Sequence, residues 1–100
     1  MNKTEIRRFK VKTALNVLIE KFDAYSITND DGARFDFHVD YKDLTFQGQM
    51  DRRDLQVMFW DTIELSGPGF TPEEILKQKL AVELEDIINE ELEKVLEIVA

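Results

Sequence analysis

The chain has 100 residues, 43% of them hydrophobic and 34% charged, with four Gly, two Pro and no Cys. That length is enough for a single domain spanning 1–100 and too short for two independent cores. The low Gly and Pro content and ten aromatics exclude collagen-like, low-complexity and disordered classes, while the net charge of −8 argues against general nucleic-acid binding, since an acidic surface repels phosphate backbones.

Asn2 followed three residues later by Glu5 has the form of a capping box opening a first helix. Val11, Ala14, Leu15, Leu18, Ile19 and Phe22 then recur at helical spacing, with Ile6, Phe9 and Val17 off that stripe. From Ala24 the period changes to two. Tyr25 and Ile27 alternate with Ser26 and Thr28, and Asn29-Asp30-Asp31-Gly32 is a hairpin signal. Phe35, Phe37, Val39 and Tyr41 alternate with Arg34, Asp36, His38 and Asp40 in the clearest strand. After a turn at Lys42-Asp43, Leu44, Phe46 and Met50 alternate with Thr45, Gln47 and Gln49. A second turn at Asp51-Arg52-Arg53-Asp54 leads to a fourth strand carrying Leu55, Val57, Phe59 and Ile63. Ser66-Gly67-Pro68-Gly69 breaks the sheet. Thr71-Pro72-Glu73-Glu74 then supplies an N-cap, Pro at the first helical position and Glu at the third, with Phe70 and Ile75 placed for a hydrophobic staple. The last helix carries Leu76, Leu80, Leu84, Ile87, Ile88, Leu92, Val95 and Val99 on a broad face.

The charge is unevenly spread. Lys3, Arg7, Arg8, Lys10 and Lys12 stand against Glu5 alone in residues 1–12, whereas residues 71–100 hold nine acids and three lysines. Each cluster opposes its own helix dipole, and the conflict eases if the two ends lie side by side. Four hairpin-connected strands between antiparallel helices bring those ends together. The expected fold is therefore α+β and two-layered. A four-stranded antiparallel meander is flanked in sequence by an N-terminal and a long C-terminal helix, both on one sheet face.

Catalytic chemistry has little to work with. There is one His and no Cys, and neither a phosphate loop, a G-x-S-x-G nucleophile nor an H-E-x-x-H ligand set. Asp36, His38 and Asp40 share a strand face, but a metal would need a further ligand from a neighbouring strand, where Thr45, Gln47, Gln49 and Gln56 are poor donors. The expectation is no enzyme, no cofactor and no metal. No apolar run approaches the ~18 residues of a membrane span, and Glu20, Lys21 and Asp23 follow the short Ala14–Ile19 stretch where a signal peptide would need a cleavage site. The expected location is cytoplasmic.

Three surfaces stand out. On the outer sheet face, Met58 and Trp60 fall in register with Gln56 and Thr62, beside His38 and Gln47 on neighbouring strands. Trp with Met on a polar face is a typical contact pair, and the first expectation is a non-enzymatic module that binds a partner protein there. Glu83, Asp86, Glu90, Glu93 and Glu97 form an acidic stripe within about a quarter of the helix circumference. That stripe suits a basic partner or imitates a nucleic-acid strand. A small acidic chain ordered helix, antiparallel strands, helix is similar in size and charge to phage-type inhibitors that mimic nucleic acid. The likeness implies an alternative function: blocking a basic cleft on a defence or DNA-processing protein. Finally, residues 72–99 as one helix span about 42 Å and overhang strands of roughly 23–30 Å. The overhang would expose Leu92, Val95, Leu96 and Val99, so a homodimer burying these ends is expected.

Overall fold

The computed structural model describes residues 2–29, 32–62 and 71–97. Helix α1 spans Lys3–Phe22, and Asn2 caps it by accepting the Glu5 amide N–H at 2.9 Å. Its C-terminus closes on Asp23 in the left-handed region (φ 54°), with the amides of Asp23 and Ala24 both returning to the Leu18 carbonyl. Asp tolerates that conformation better than most non-glycine residues, which allows an abrupt stop without Gly.

Four strands follow: β1 (Tyr25–Thr28), β2 (Arg34–Tyr41), β3 (Leu44–Asp51) and β4 (Val57–Phe59), in spatial order β1-β2-β3-β4 and antiparallel throughout. Between β2 and β3, Lys42 and Asp43 both have positive φ (49° and 66°), the sign pattern that lets a two-residue hairpin match the strand twist. Of the first hairpin loop, Asp30 and Asp31 lie outside the described residues; Asn29 Oδ1 accepts the Gly32 amide at 3.0 Å. The β3–β4 turn is held by carboxylates: Asp51 accepts from the Arg53 amide at 2.7 Å and Asp54 from the Gln56 amide at 2.9 Å.

The alternation of β2 and β3 reads directly onto the two faces. Phe35, Phe37, Val39, Phe46, Gly48 and Met50 point inward and are buried. Across the sheet Phe37 pairs with Gly48 and Gly48 with Phe59. Of the two described glycines, Gly48 is the one whose missing side chain matters for packing. A Cβ there would lie 2.9 Å from the Phe59 ring, and its absence lets that ring meet Phe37 and Phe46 edge-on at 5.9 and 6.0 Å. Residues 72–96 form α2, capped by Thr71, whose hydroxyl accepts the Glu74 amide at 3.2 Å. The other half of the expected staple, Phe70, lies outside the described residues.

The architecture is α+β as the pattern implies, with α1 and α2 contributing Ala14, Leu18, Ala81, Leu84, Ile88, Leu92 and Val95 to one core with the sheet. The helices run antiparallel and their oppositely charged ends meet. Lys10 donates to the Leu96 carbonyl at 3.0 Å, and Lys21 pairs with Glu91 at 2.8 Å. The Lys10 bond sets a cation against the carbonyl end of α2, where its dipole favours one, whereas Lys21 lies in the last turn of α1.

Several details differ from the sequence reading. The fourth strand is three residues long: Leu55 has φ 56° and precedes it, and Trp60–Thr62 turns into a 3-10 helix instead of continuing to Ile63, which lies outside the described residues. The outer edge of this short strand is engaged by α2. Its Asn89 side chain accepts from the Val57 amide at 2.7 Å and donates to the Val57 carbonyl at 3.0 Å, while Glu85 accepts the Phe59 amide at 3.1 Å. These side chains occupy hydrogen-bonding positions that a fifth strand would use, so the free edge of the sheet is closed by a helix. Ile19 on α1 and Leu76 and Ile87 on α2, which lie on the apolar stripes of their helices, are exposed. Two residues of the expected exposed overhang are instead covered. Leu92 and Val95 are only 1% and 4% exposed, because α1 runs alongside the C-terminal part of α2 and the buried Leu55 lines the same recess as Leu96. Leu96 is exposed, and Val99 lies outside the described residues.

Candidate functional site

The outer face of the sheet carries His38 and Gln47 directly opposite one another, as their register positions require. The face is a bonded polar surface. Tyr25 stacks on His38 with ring centroids 5.6 Å apart, and its hydroxyl donates to Asp40 Oδ1 at 2.9 Å. Thr45 donates to the same oxygen at 2.8 Å. Donation to the Asp40 carboxylate holds the Tyr25 phenol above its ordinary pKa, because losing the proton would leave two anions face to face. Asp40 is therefore engaged with protein donors. Among the described residues no group of three His, Cys, Asp or Glu side chains is arranged to hold a metal ion. His38 Nδ1 is buried without a hydrogen-bond partner among the described residues.

Met58 sits on that face opposite Gln49, half-buried. Trp60 does not join it. Because β4 ends at Phe59, Trp60 opens the 3-10 turn at the sheet edge, and Gln56 and Thr62 flank the strand without belonging to it. Thr62 instead closes the turn, its hydroxyl donating to the Phe59 carbonyl at 2.7 Å. The expected row of Gln56, Met58, Trp60 and Thr62 is thus broken by the 3-10 turn that follows β4.

What the fold brings to Trp60 is a flank of α2. Ile75, Val82 and Asn89 are spaced seven apart, so they lie within about 40° of one another on the helix. Asn89 fixes which side that is, through its bonds to Val57, and Lys77 reaches Asp61 of the 3-10 turn at 3.6 Å. Trp60, Val82 and Ile75 are 45%, 45% and 43% exposed, while Phe37, Phe46 and Phe59 beneath them are fully enclosed. Sequence reasoning missed Ile75 and Val82 as surface residues. The available signal was their seven-residue spacing with a polar Asn, offset from the main stripe of Ala81, Leu84, Ile88 and Leu92.

The acidic stripe is present as expected, with Glu83, Asp86, Glu90, Glu93 and Glu97 all exposed. Glu83 is 3.6 Å from Lys42, whereas the other four form no ion pair among the described residues. Glu91 lies off the stripe, and Lys21 and then Lys94 hold its carboxyl below the usual range by hydrogen bonding. No helix among the described residues is long and apolar enough to cross a membrane. No known protein family, no curated protein and no solved structure matches the chain.

Proposed function

We propose that the protein is a non-enzymatic interaction module that binds a partner protein through the flank formed by Trp60, Val82 and Ile75, with Met58 at its margin. The observation that carries this reading is the incomplete cover of Trp60. The core beneath is closed, yet three large apolar side chains on one flank remain over 40% exposed. Trp is the residue most often found at the energetic centre of an interface, and apolar neighbours exclude water around it. A second copy of the chain is one possible partner.

A second reading rests on the stripe. Four carboxylates without ion pairs among the described residues, along one face of α2, support mimicry of a nucleic-acid strand against a basic cleft. Salt separates the two, because an ionic interface weakens steeply where the screening length falls to about 3 Å in molar salt, and an apolar one does not. The test is affinity capture from host extract on immobilised full-length chain, at low and molar salt, with Trp60→Ala and Glu90→Lys as comparison baits. Proteins held by the wild type in molar salt and lost only with Trp60→Ala support the first reading, provided circular dichroism shows that variant folded. Retention of the same proteins by Trp60→Ala overturns it. Light scattering on the wild type and Trp60→Ala shows whether a second copy occupies the flank.

A further inference from the structure

The first helix turns a basic line toward the rest of the molecule. Lys3, Arg7 and Lys10 fall within about 60° of one another on α1, on the same side as the buried Ala14 and Leu18. Across from them the β3–β4 turn presents Arg52 and Arg53. The cleft between, about 260 Å³, has Ile6, Leu55 and Leu96 as its apolar wall. A second cleft of about 330 Å³ adjoins it on the other flank of α1, adding Arg8 and Lys12, and Arg7 and Arg52 line both.

Arg52 is built into this position. Its amide donates to the Ala33 carbonyl at 3.0 Å, and its guanidinium lies 4.8 Å from the centre of the Phe35 ring. Its Nε is buried and has no hydrogen-bond partner among the described residues. A guanidinium held over a ring has less side-chain freedom left to lose on binding. An unpartnered buried donor is costly unless something supplies an acceptor.

The pairing of cations over the molecule sharpens the point. Away from the cleft, Lys21, Lys42, Lys77 and Lys94 each have a carboxylate within 4.0 Å, and Lys79 has none among the described residues. At the cleft, Arg53 pairs with Asp51 at 3.4 Å and Lys10 is taken by the Leu96 carbonyl. Lys3, Arg7, Arg8, Lys12 and Arg52 have no ion pair with any described residue. In a chain with a surplus of eight carboxylates, five cations gathered without one repel each other, and a bound anion relieves that repulsion.

We propose that this double cleft is a binding site for a compact polyphosphate group, with Arg7 and Arg52 as its central ligands. Forked guanidinium donors suit phosphoryl oxygens, and cations on both sides of Arg52 suit adjacent phosphoryl groups. Compactness follows from the surroundings. Lys3 to Lys12 span about 13 Å along α1, and a longer polyanion would run beyond them into the field of a protein with net charge −8. The site is distinct from the Trp60 flank and does not rest on it.

The test is calorimetric titration of the full chain at low salt with sodium tripolyphosphate, with ATP in parallel to separate inorganic from nucleotide sources. Saturable one-to-one binding is expected. Arg7→Gln and Arg52→Gln should each weaken it about tenfold or more, the loss of one charge-assisted hydrogen bond. Lys79→Gln, on exposed α2 away from the cleft, should change it less than about twofold. Tripolyphosphate should also raise the thermal midpoint of the wild type and not that of Arg7→Gln. If Arg52→Gln fails to fold, Arg7→Gln and Arg8→Gln decide. Binding that is unsaturable, equal in these variants and Lys79→Gln, or weaker than that of a long single-stranded oligonucleotide overturns the proposal.

Discussion

Asn89→Ala isolates the contact by which α2 closes the sheet. The Asn89 amide makes two hydrogen bonds to one residue of β4, at 2.7 Å to the Val57 amide and 3.0 Å to its carbonyl. Both are partly buried, so removing the side chain leaves a strand N–H and C=O only partly reached by water. Each bond contributes about 0.5–1.5 kcal/mol net, and leaving its partner unsatisfied pushes the cost toward the upper end. Against this, Ala is a better helix former than Asn by roughly 0.6 kcal/mol. The sum is a loss of about 1–2 kcal/mol. At this chain length each kcal/mol moves the thermal midpoint roughly 4–8 °C, so a fall of about 5–15 °C is expected. Thermal unfolding followed by circular dichroism measures it. Asn89→Asp should be at least as damaging, since it keeps the acceptor for Val57 N–H but turns an anion toward the Val57 carbonyl. A midpoint for Asn89→Ala equal to or above wild type would refute the reasoning: helix propensity alone would then account for the change, and the edge contact would contribute nothing.

Gly48→Ala should lower stability by about 1–2 kcal/mol. Overpacking costs about 1–3 kcal/mol and the strand gain from replacing Gly returns roughly 0.5–1. The new methyl meets the Phe59 ring at 2.9 Å and the Met58 carbonyl at 3.1 Å, and Phe59 is fully enclosed with no room to withdraw; urea denaturation reads the change, and an unchanged midpoint would mean the ring row relaxes freely. Glu91→Gln tests the Lys21 bridge through pH. The folded carboxyl is held low by Lys21 first and Lys94 second, so its contribution is present above the unfolded carboxylate value and is lost as pH falls through the folded one. The gap in thermal midpoint between wild type and Glu91→Gln should therefore be widest near neutral pH and close in acid; a gap independent of pH would rule out the bridge as its origin.

Local chemistry written in the chain determined a great deal here. Asn2 and Thr71 cap their helices because a short polar side chain reaches an amide three residues on, whatever surrounds it. The alternation from Phe35 to Tyr41 determined which side of β2 faces the core, since a period of two admits only one burial. Even the meeting of the basic and acidic helix ends was legible, because chain reversal through four strands and the two dipoles point to the same arrangement. Where β4 stops was not legible. Leu55 to Ile63 carries a strand pattern, but the edge is closed by Asn89 and Glu85, thirty-two and twenty-six residues away in sequence. Trp60 leaves the sheet in the 3-10 turn that packs on α2. Tertiary packing likewise decided that Leu92 and Val95 are covered. It also turned cations scattered through residues 3–12 and 52–53 into one cleft. Residues close in sequence interact at a spacing the backbone sets in advance, whereas the charge and cover of a surface depend on which distant segments fold against it.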